Sequence, residues 1–368
     1  MSNKIKHIFG SVSRTLLGLT FIFSGFVKAI DPLGTTYKIE DYLKAFGGFF
    51  NTLLPIAEPA AWCLIVFEFV LGICLLCNIR TRWTSWLALA LMLVMTPLTL
   101  YLALTNPISD CGCFGDAIVL SNWQTFWKNI VLLALVILLL RTKKHIVLTL
   151  NWKAELGVFA VSLAGIVLFM LYARLHLPVI DFRPYKVGNN LPELMEYPED
   201  AEPDLYETLL IYEKDGKKQT FSLQDYPRGD STWTFVDQQT TLLKKGYEPP
   251  IHDFEISTLD GDDLTDDVLT AERATLIVMY DLAKADTRQM PKVETLLFIN
   301  ATQNEMCYIL TGSGEEDIKQ FALQYQLPSE KFCQTDPVTL KTIVRANPGV
   351  IVLENGIVAE KYNLRNRK

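Results

Sequence analysis

Residues 8–27 read IFGSVSRTLLGLTFIFSGFV, twenty residues with one charge, Arg14. A helix of that length and apolarity is what crossing a bilayer requires. Lys4 and Lys6 give it the basic start of a signal peptide, but no small-x-small cleavage site follows. Lys28-Ala-Ile-Asp-Pro comes instead, so the segment is expected to be retained. Further apolar stretches run from Pro59 to Cys77, Trp83 to Ala103, Trp123 to Leu140 and Leu156 to Tyr172. Five membrane helices are therefore expected. Trp62, Trp83, Trp86, Trp123, Trp127 and Trp152 fall near their ends, where an interfacial aromatic belt would lie.

Lys and Arg near span ends favour the cytoplasmic side. Lys4 and Lys6, then Arg80 and Arg82, then Arg141, Lys143 and Lys144 form three basic clusters, all consistent with a cytoplasmic N-terminus. Five spans from that start put the C-terminus outside, in the periplasm or an equivalent space, with an inner (cytoplasmic) membrane location. The segment Asp31 to Pro55 then lies outside, and its broken apolar stripe (Tyr37, Tyr42, Leu43, Phe46) fits a short helix at the interface.

Charge divides the chain. Up to residue 180 there are 14 Lys/Arg against 8 Asp/Glu, and after it 20 against 33. An acidic soluble half without a basic patch repels nucleic acid, so the expected partners are the lipid bilayer and an extracytoplasmic protein client.

Glu68 lies mid-way along the second span and Arg14 about two turns into the first. Ionisable groups at such depth are costly and face a partner, and a Glu68–Arg14 pair is the obvious candidate. It is either a structural lock between helices or a proton or quinone site. Lys28, at the outer end, is expected to snorkel to the interface.

Seven cysteines are too few for a disulfide scaffold. Cys111 and Cys113, in SDCGCFGD, follow the third span on the outer side. A CxC pair can close a tight disulfide across Gly112, suited to exchange, or it can staple a loop that caps the bundle. Asp110 and Asp116 beside it argue against thiolate activation. No His or further Cys lies nearby to complete a metal site. Cys63, Cys74 and Cys77 sit in the second span, where thiols most often act as small apolar residues. Cys307 and Cys333 are possible secondary thiols that can pair if their segments are neighbouring strands.

FIFSGFVKAIDPLG, FEFVLGICLL, CGCFGD and WQTFWKNIVLLALVILLL, in that order, resemble the DoxX/MauE group of redox-associated membrane proteins. The resemblance implies a four-helix bundle over residues 1–145. In outline it is similar to the disulfide-generating quinone reductases DsbB and vitamin K epoxide reductase, which keep reactive cysteines at the extracytoplasmic end. Those proteins also use a second, shuttling cysteine pair, and residues 30–58 contain no cysteine. Residues 146–180 add the fifth helix and a stalk.

The C-terminal part, 248–368, resembles a thioredoxin-like α/β domain. IHDFEISTLDGDDLTDDVL is its opening hairpin, TLIVMYD a buried strand, then helix, strand MCYIL, helix EEDIKQFALQYQ, a helix ending near Arg345, and a final hairpin turned at Asn355-Gly356. Asn347-Pro348 stands where that fold keeps its cis-proline, which predicts a cis bond and a partner-binding face. Where the fold carries CxxC, this chain reads LAKADTRQM, with no cysteine. Residues 181–247 are an acidic linker near Glu193–Pro203 and a small β-rich extension packed on that domain, with a hairpin at Lys214-Asp215-Gly216-Lys217 and a strand over Ser231–Val236.

Two functions remain open. One is a membrane thiol–disulfide oxidoreductase, relaying electrons between extracytoplasmic thiols and a membrane quinone, with Cys111/Cys113 exchanging and Glu68 tuning the membrane site. The other is a non-catalytic envelope accessory whose degenerate domain docks a partner. A transporter is disfavoured, since no inverted repeat is present.

Overall fold

A computed structural model describes residues 3–108, 110–142, 150–198, 200–203, 205–244 and 246–367. Lys143 and Lys144, two of the three residues of the third basic cluster, lie outside them. Five helices are long and apolar enough to cross a membrane. They are α1 (Asn3–Ile30), α3 (Ala57–Leu76), α4 (Thr81–Thr105), α5 (Asn122–Thr142) and α6 (Trp152–His176). α2 (Pro32–Phe46) and a 3-10 segment (Gly48–Ile56) fill the expected interfacial stretch. Asp31 caps α2 by accepting from Gly34 N–H at 3.0 Å, with Pro32 at the first helical position.

Glycine brings α1 and α3 together. A Cβ on Gly72 would stand 2.6 Å from Ile22 N and 2.8 Å from the Gly18 carbonyl, and one on Gly25 2.7 Å from Phe69 N. Small residues let membrane helices approach backbone to backbone and so fix their register. Around that crossing, Leu17, Phe21, Leu71, Leu75, Met92, Val136 and Leu139 form one apolar core. Ile65, Val70 and Cys74 of α3 meet Ile166 and Met170 of α6 in a second, so Cys74 does pack as a small apolar residue.

The soluble half holds a six-stranded sheet in the order β4-β7-β6-β5-β8-β9. Its strands are β4 (Ser257–Thr258), β5 (Ala274–Val278), β6 (Met306–Thr311), β7 (Phe332–Gln334), β8 (Gly349–Glu354) and β9 (Ile357–Asn363). β5, β6 and β7 run parallel, while β8, β9 and β4 are antiparallel to their neighbours. Connecting helices are α8 (Thr265–Thr270), α9 (Met290–Gln303), α10 (Glu315–Tyr325) and α11 (Pro337–Ile343). Alternate residues of β5 face opposite sides: Leu276 and Val278 enter one core, Ile277 the other. Tyr185 and Leu191, the latter opening α7 (Leu191–Met195), belong to the first core, and Asn190 bridges to Ile357. The start of the expected linker is thus ordered on this unit.

A separate three-stranded sheet, β2-β1-β3, comprises β1 (Leu205–Lys214), β2 (Lys217–Ser222) and β3 (Thr234–Lys244). Its hairpin turns at Asp215 and Gly216, both at positive φ, as Asp-Gly in a tight turn requires. The third strand begins three residues later than the sequence suggests. Tyr212, Phe221, Trp233 and Phe235 make its own edge-to-face cluster. Among the described residues none of its side chains enters either core of the larger sheet.

Candidate functional site

The loop between α4 and α5 carries Cys111, Gly112 and Cys113, whose two sulfurs are adjacent, with Cα atoms 5.5 Å apart. Gly112 has φ +62°, and a Cβ there would sit 3.0 Å from Lys38 Cγ, so both backbone and space demand glycine. α2 holds this loop. Tyr42 Oη donates to the Cys111 carbonyl at 2.7 Å, and Lys38 Nζ pairs with Asp110 at 2.6 Å. Asp110 also accepts from Gly112 N–H at 2.8 Å.

Beneath the loop a cavity of about 160 Å³ opens between the helices. Phe21, Leu64, Leu91, Met92, Met95 and Leu98 supply its apolar wall, while Ser24, Lys28, Glu68, Lys128 and Asn129 supply polar groups. A volume of that order holds a single small ring.

Glu68 meets Lys28, not Arg14. Lys28 Nζ lies 2.7 and 2.9 Å from the two carboxylate oxygens, with both residues buried. Arg14 instead donates to the carbonyls of Leu75 and Leu76, in the last turn of α3. The reason is directional. A helical side chain leans toward its own N-terminus, so Lys28 reaches back one turn to Ser24 (3.2 Å) and Glu68 rather than outward to the interface. The expected snorkelling of Lys28 is corrected with it. Ser24 Oγ stands 2.8 Å from Glu68 and 2.8 Å from the Cys113 carbonyl, joining the ion pair to the cysteine loop.

Residues 6–142 match the family described as methylamine utilisation protein MauE. The membrane half is MauE-like. Residues 206–245, the small three-stranded sheet, match a domain of unknown function, DUF8463. Curated proteins offer no match to the chain.

Above the MauE-like bundle sits the sheet domain. Arg345 Nε lies 2.7 Å from Asp31 Oδ2, and its Nη2 3.5 Å from Asp116 Oδ2. Tyr37 Oη of α2 approaches Tyr280 Oη at 3.4 Å, just after β5. Burial would raise the Asp31 carboxyl, but the Arg345 and Arg183 charges, with hydrogen bonds from Arg345 and Gly34, hold it below the usual range. Asp116 moves the other way, raised by burial against the pull of Arg345.

The Asn347–Pro348 bond is cis. Asn347 Nδ2 donates to the Asp281 carbonyl at 2.7 Å, and Pro348 is buried. The loop expected to face a partner therefore lies two residues from an arginine already engaged by the bundle. Cys307 and Cys333 occupy opposite faces of the sheet, one in each core, and both are free. They sit on the neighbouring strands β6 and β7, but Cys333 is opposite Leu310, three residues from Cys307, so the pleat points the sulfurs apart. The pairing that the sequence left open is not formed, and both thiols are free. Burial pushes the thiols up to about 12 and about 11.

Lys128 escaped the sequence reading. It stands 4.4 Å from the Phe114 ring centroid, and Thr125, Lys128, Asn129 and Leu132 share one face of α5 at helical spacing. That spacing was the available signal. Among the described residues no cluster of three or more His, Cys, Asp or Glu is arranged to hold a metal.

Proposed function

We propose that this chain is a membrane-embedded thiol–disulfide redox protein, passing electrons between extracytoplasmic thiol clients and a membrane quinone, with Cys111 and Cys113 as the exchange pair. A redox-associated membrane role fits the MauE-like region. The observation that carries the finer reading is the cavity itself: both cysteines line it, together with Glu68, Lys28 and Lys128. A pair built only to staple a loop needs no such chamber.

The residues fit a quinone. The apolar wall suits a ring, and the Lys128 ammonium and Asn129 amide are donors for carbonyl oxygens. A quinone, when bound, supplies a two-electron acceptor. The chain's own residues do the rest. Ser24 and Tyr42 fix the backbone of the cysteine loop, and most of the cavity wall is apolar. Oxidising two thiols releases two protons, and the Glu68–Lys28 pair, one hydroxyl away through Ser24, is placed to hold one.

In this reading five spans lie in an inner membrane, the N-terminus is cytoplasmic and the sheet domain periplasmic, where an oxidised pair is the resting state. The sheet domain is thioredoxin-like: three parallel central strands and an antiparallel terminal hairpin support it.

Alkylation of the membrane-embedded protein before and after mild reductant tests the reading. Cys111 and Cys113 should be protected, become labelled after reduction, and be protected again when a short-chain ubiquinone is added. The Cys111→Ser, Cys113→Ser double variant should lose oxidation of a dithiol peptide, and undiminished oxidation would overturn the proposal. The accessory reading draws support from the docked face of the sheet domain and the absence of CxxC after β5. A truncation after residue 180 that keeps peptide oxidation but loses the cellular phenotype would favour it.

A further inference from the structure

We infer that the pair opens in one direction: a client thiolate attacks Cys113, and Cys111 leaves as a thiolate held by Thr125 and the charge of Lys128. The inference rests on the exchange reading above and assigns roles within that site.

The two sulfurs differ in setting. Cys111 is buried at 9 % exposure, whereas Cys113 is half-buried and more open. Cys111 Sγ lies 3.5 Å from Thr125 Oγ1, whose hydroxyl has no other hydrogen-bond partner among the described residues. A hydroxyl there can donate to a sulfur that gains charge. The accessible sulfur is the one an incoming thiolate reaches, and the one with a waiting donor is the better leaving group.

Charge settles the rest. By sequence, Asp110 and Asp116 discourage a thiolate, but neither acts as a bare charge. Lys38 pairs with Asp110, and Arg345 with Asp31 and Asp116. Lys28 is taken by Glu68. The charged or titratable groups that line the cavity are Lys28, Lys38, Tyr42, Glu68 and Lys128. Once the pairs are set aside, Lys128 is the cation left over. Among the described residues it has no carboxylate at ion-pair distance, only the Phe114 ring. It lies one helical turn from Thr125 on the same face of α5. An uncompensated cation in an apolar cavity acts over a longer range than in water and favours a nearby anion. A nearby lysine is a known means of stabilising a thiolate.

The step balances with glutathione as probe. Its thiolate attacks Cys113 Sγ, a sulfur–sulfur bond forms between them, and the Cys111–Cys113 bond breaks with its electron pair going to Cys111. A second glutathione thiolate attacks the glutathione sulfur, giving oxidised glutathione and a second thiolate on Cys113. The pair has then gained two electrons, and protonation of both thiolates completes the dithiol.

Full-length protein in lipid nanodiscs, treated with limiting glutathione, quenched with iodoacetamide and mapped by mass spectrometry, tests it. Glutathione should appear on Cys113 and the carbamidomethyl group on Cys111, and the reverse pattern would sink the assignment. Lys128→Met should slow opening at pH 7 about tenfold and move the alkylation midpoint of reduced Cys111 up by about one pH unit. Lys128→Arg should restore both. Equal defects in the Met and Arg variants, at unchanged helix content, would make Lys128 a packing residue and reject its role. If wild-type protein takes up no glutathione and releases no thiol, the exchange reading fails instead.

Discussion

Arg345 of the sheet domain, buried, and Asp31 at the mouth of the helical bundle, partly buried, form an ion pair, 2.7 Å from Nε to Oδ2, across 314 residues of sequence. Arg345 immediately precedes the Ala346-Asn347-Pro348 loop, and Asp31 caps the helix that carries Lys38 and Tyr42 to the cysteine loop. One contact therefore couples the domain's position to the backbone that presents Cys111 and Cys113. The face of the sheet domain expected to meet an outside partner is partly engaged by its own bundle.

Removing one member of that pair should release the domain. Losing one partner of a buried ion pair costs about 3–5 kcal/mol, because the other charge remains buried. In Arg345→Met, amide exchange in the first turn of α2 should quicken at least tenfold, read by hydrogen-exchange mass spectrometry in nanodiscs. Asp116→Asn should change it little, since Asp116 is half-open to solvent and 3.5 Å away. Equal exchange in Arg345→Met and wild type would show that Tyr37–Tyr280 and its surroundings hold the domain unaided.

Lys361 offers a pH test within the soluble half. Burial first, then the Arg183 charge, bring its ammonium down to about 8, with Asp181 pulling the other way. The unfolded chain keeps that proton to about 10.4. Between those values the unfolded state binds more protons, so this group's contribution to stability rises with pH from about 8 upward. Below 8 the buried charge is a constant cost. Reductive methylation followed by NMR should give Lys361 a midpoint near 8, lower still in Asp181→Asn. A midpoint near the ordinary lysine value in the wild type would contradict the burial account.

The five apolar helices and the parallel-centred sheet were legible because their signals are local: uninterrupted apolar runs, Asp-Gly and Asn-Gly turns, and a proline after Asn347. What failed was register between elements. Arg14 and Glu68 looked like partners when depth was counted from span ends, but the Gly18–Gly72 crossing sets which turns of α1 and α3 face each other. Lys28 looked like a surface residue until its backward lean was taken into account. Cys307 and Cys333 lay on adjacent strands, as supposed, yet pleating sent them to opposite cores. The contact of Arg345 with Asp31 joins distant segments through charges that no periodicity marks.

The thiols of that sheet should be inert. With Cys307 raised to about 12 and Cys333 to about 11 by burial, little thiolate exists at neutral pH. Iodoacetamide at pH 8 should label neither in the folded protein and both in denaturant, and an oxidant such as diamide should not join them. Labelling of either under native conditions would return them to the list of working thiols.

Glu68 and Lys28 provide the last test, because the two roles open to them predict different outcomes. As a structural lock, the pair should behave symmetrically. Glu68→Gln and Lys28→Met should each destabilise the bundle by about 3–5 kcal/mol, and the double variant should recover part of that loss, since no bare charge stays buried. As a proton-handling pair, the carboxylate matters beyond its charge. Glu68→Gln keeps the shape and can still accept from Ser24, so the cysteine loop should stay in place. Reoxidation of reduced Cys111 and Cys113 should nonetheless slow at least tenfold and lose its dependence on pH, and the double variant should not recover it. Recovery of both stability and reoxidation in the double variant would confine the pair to architecture. Recovery of stability alone would place Glu68 in the path of the protons that leave the thiols.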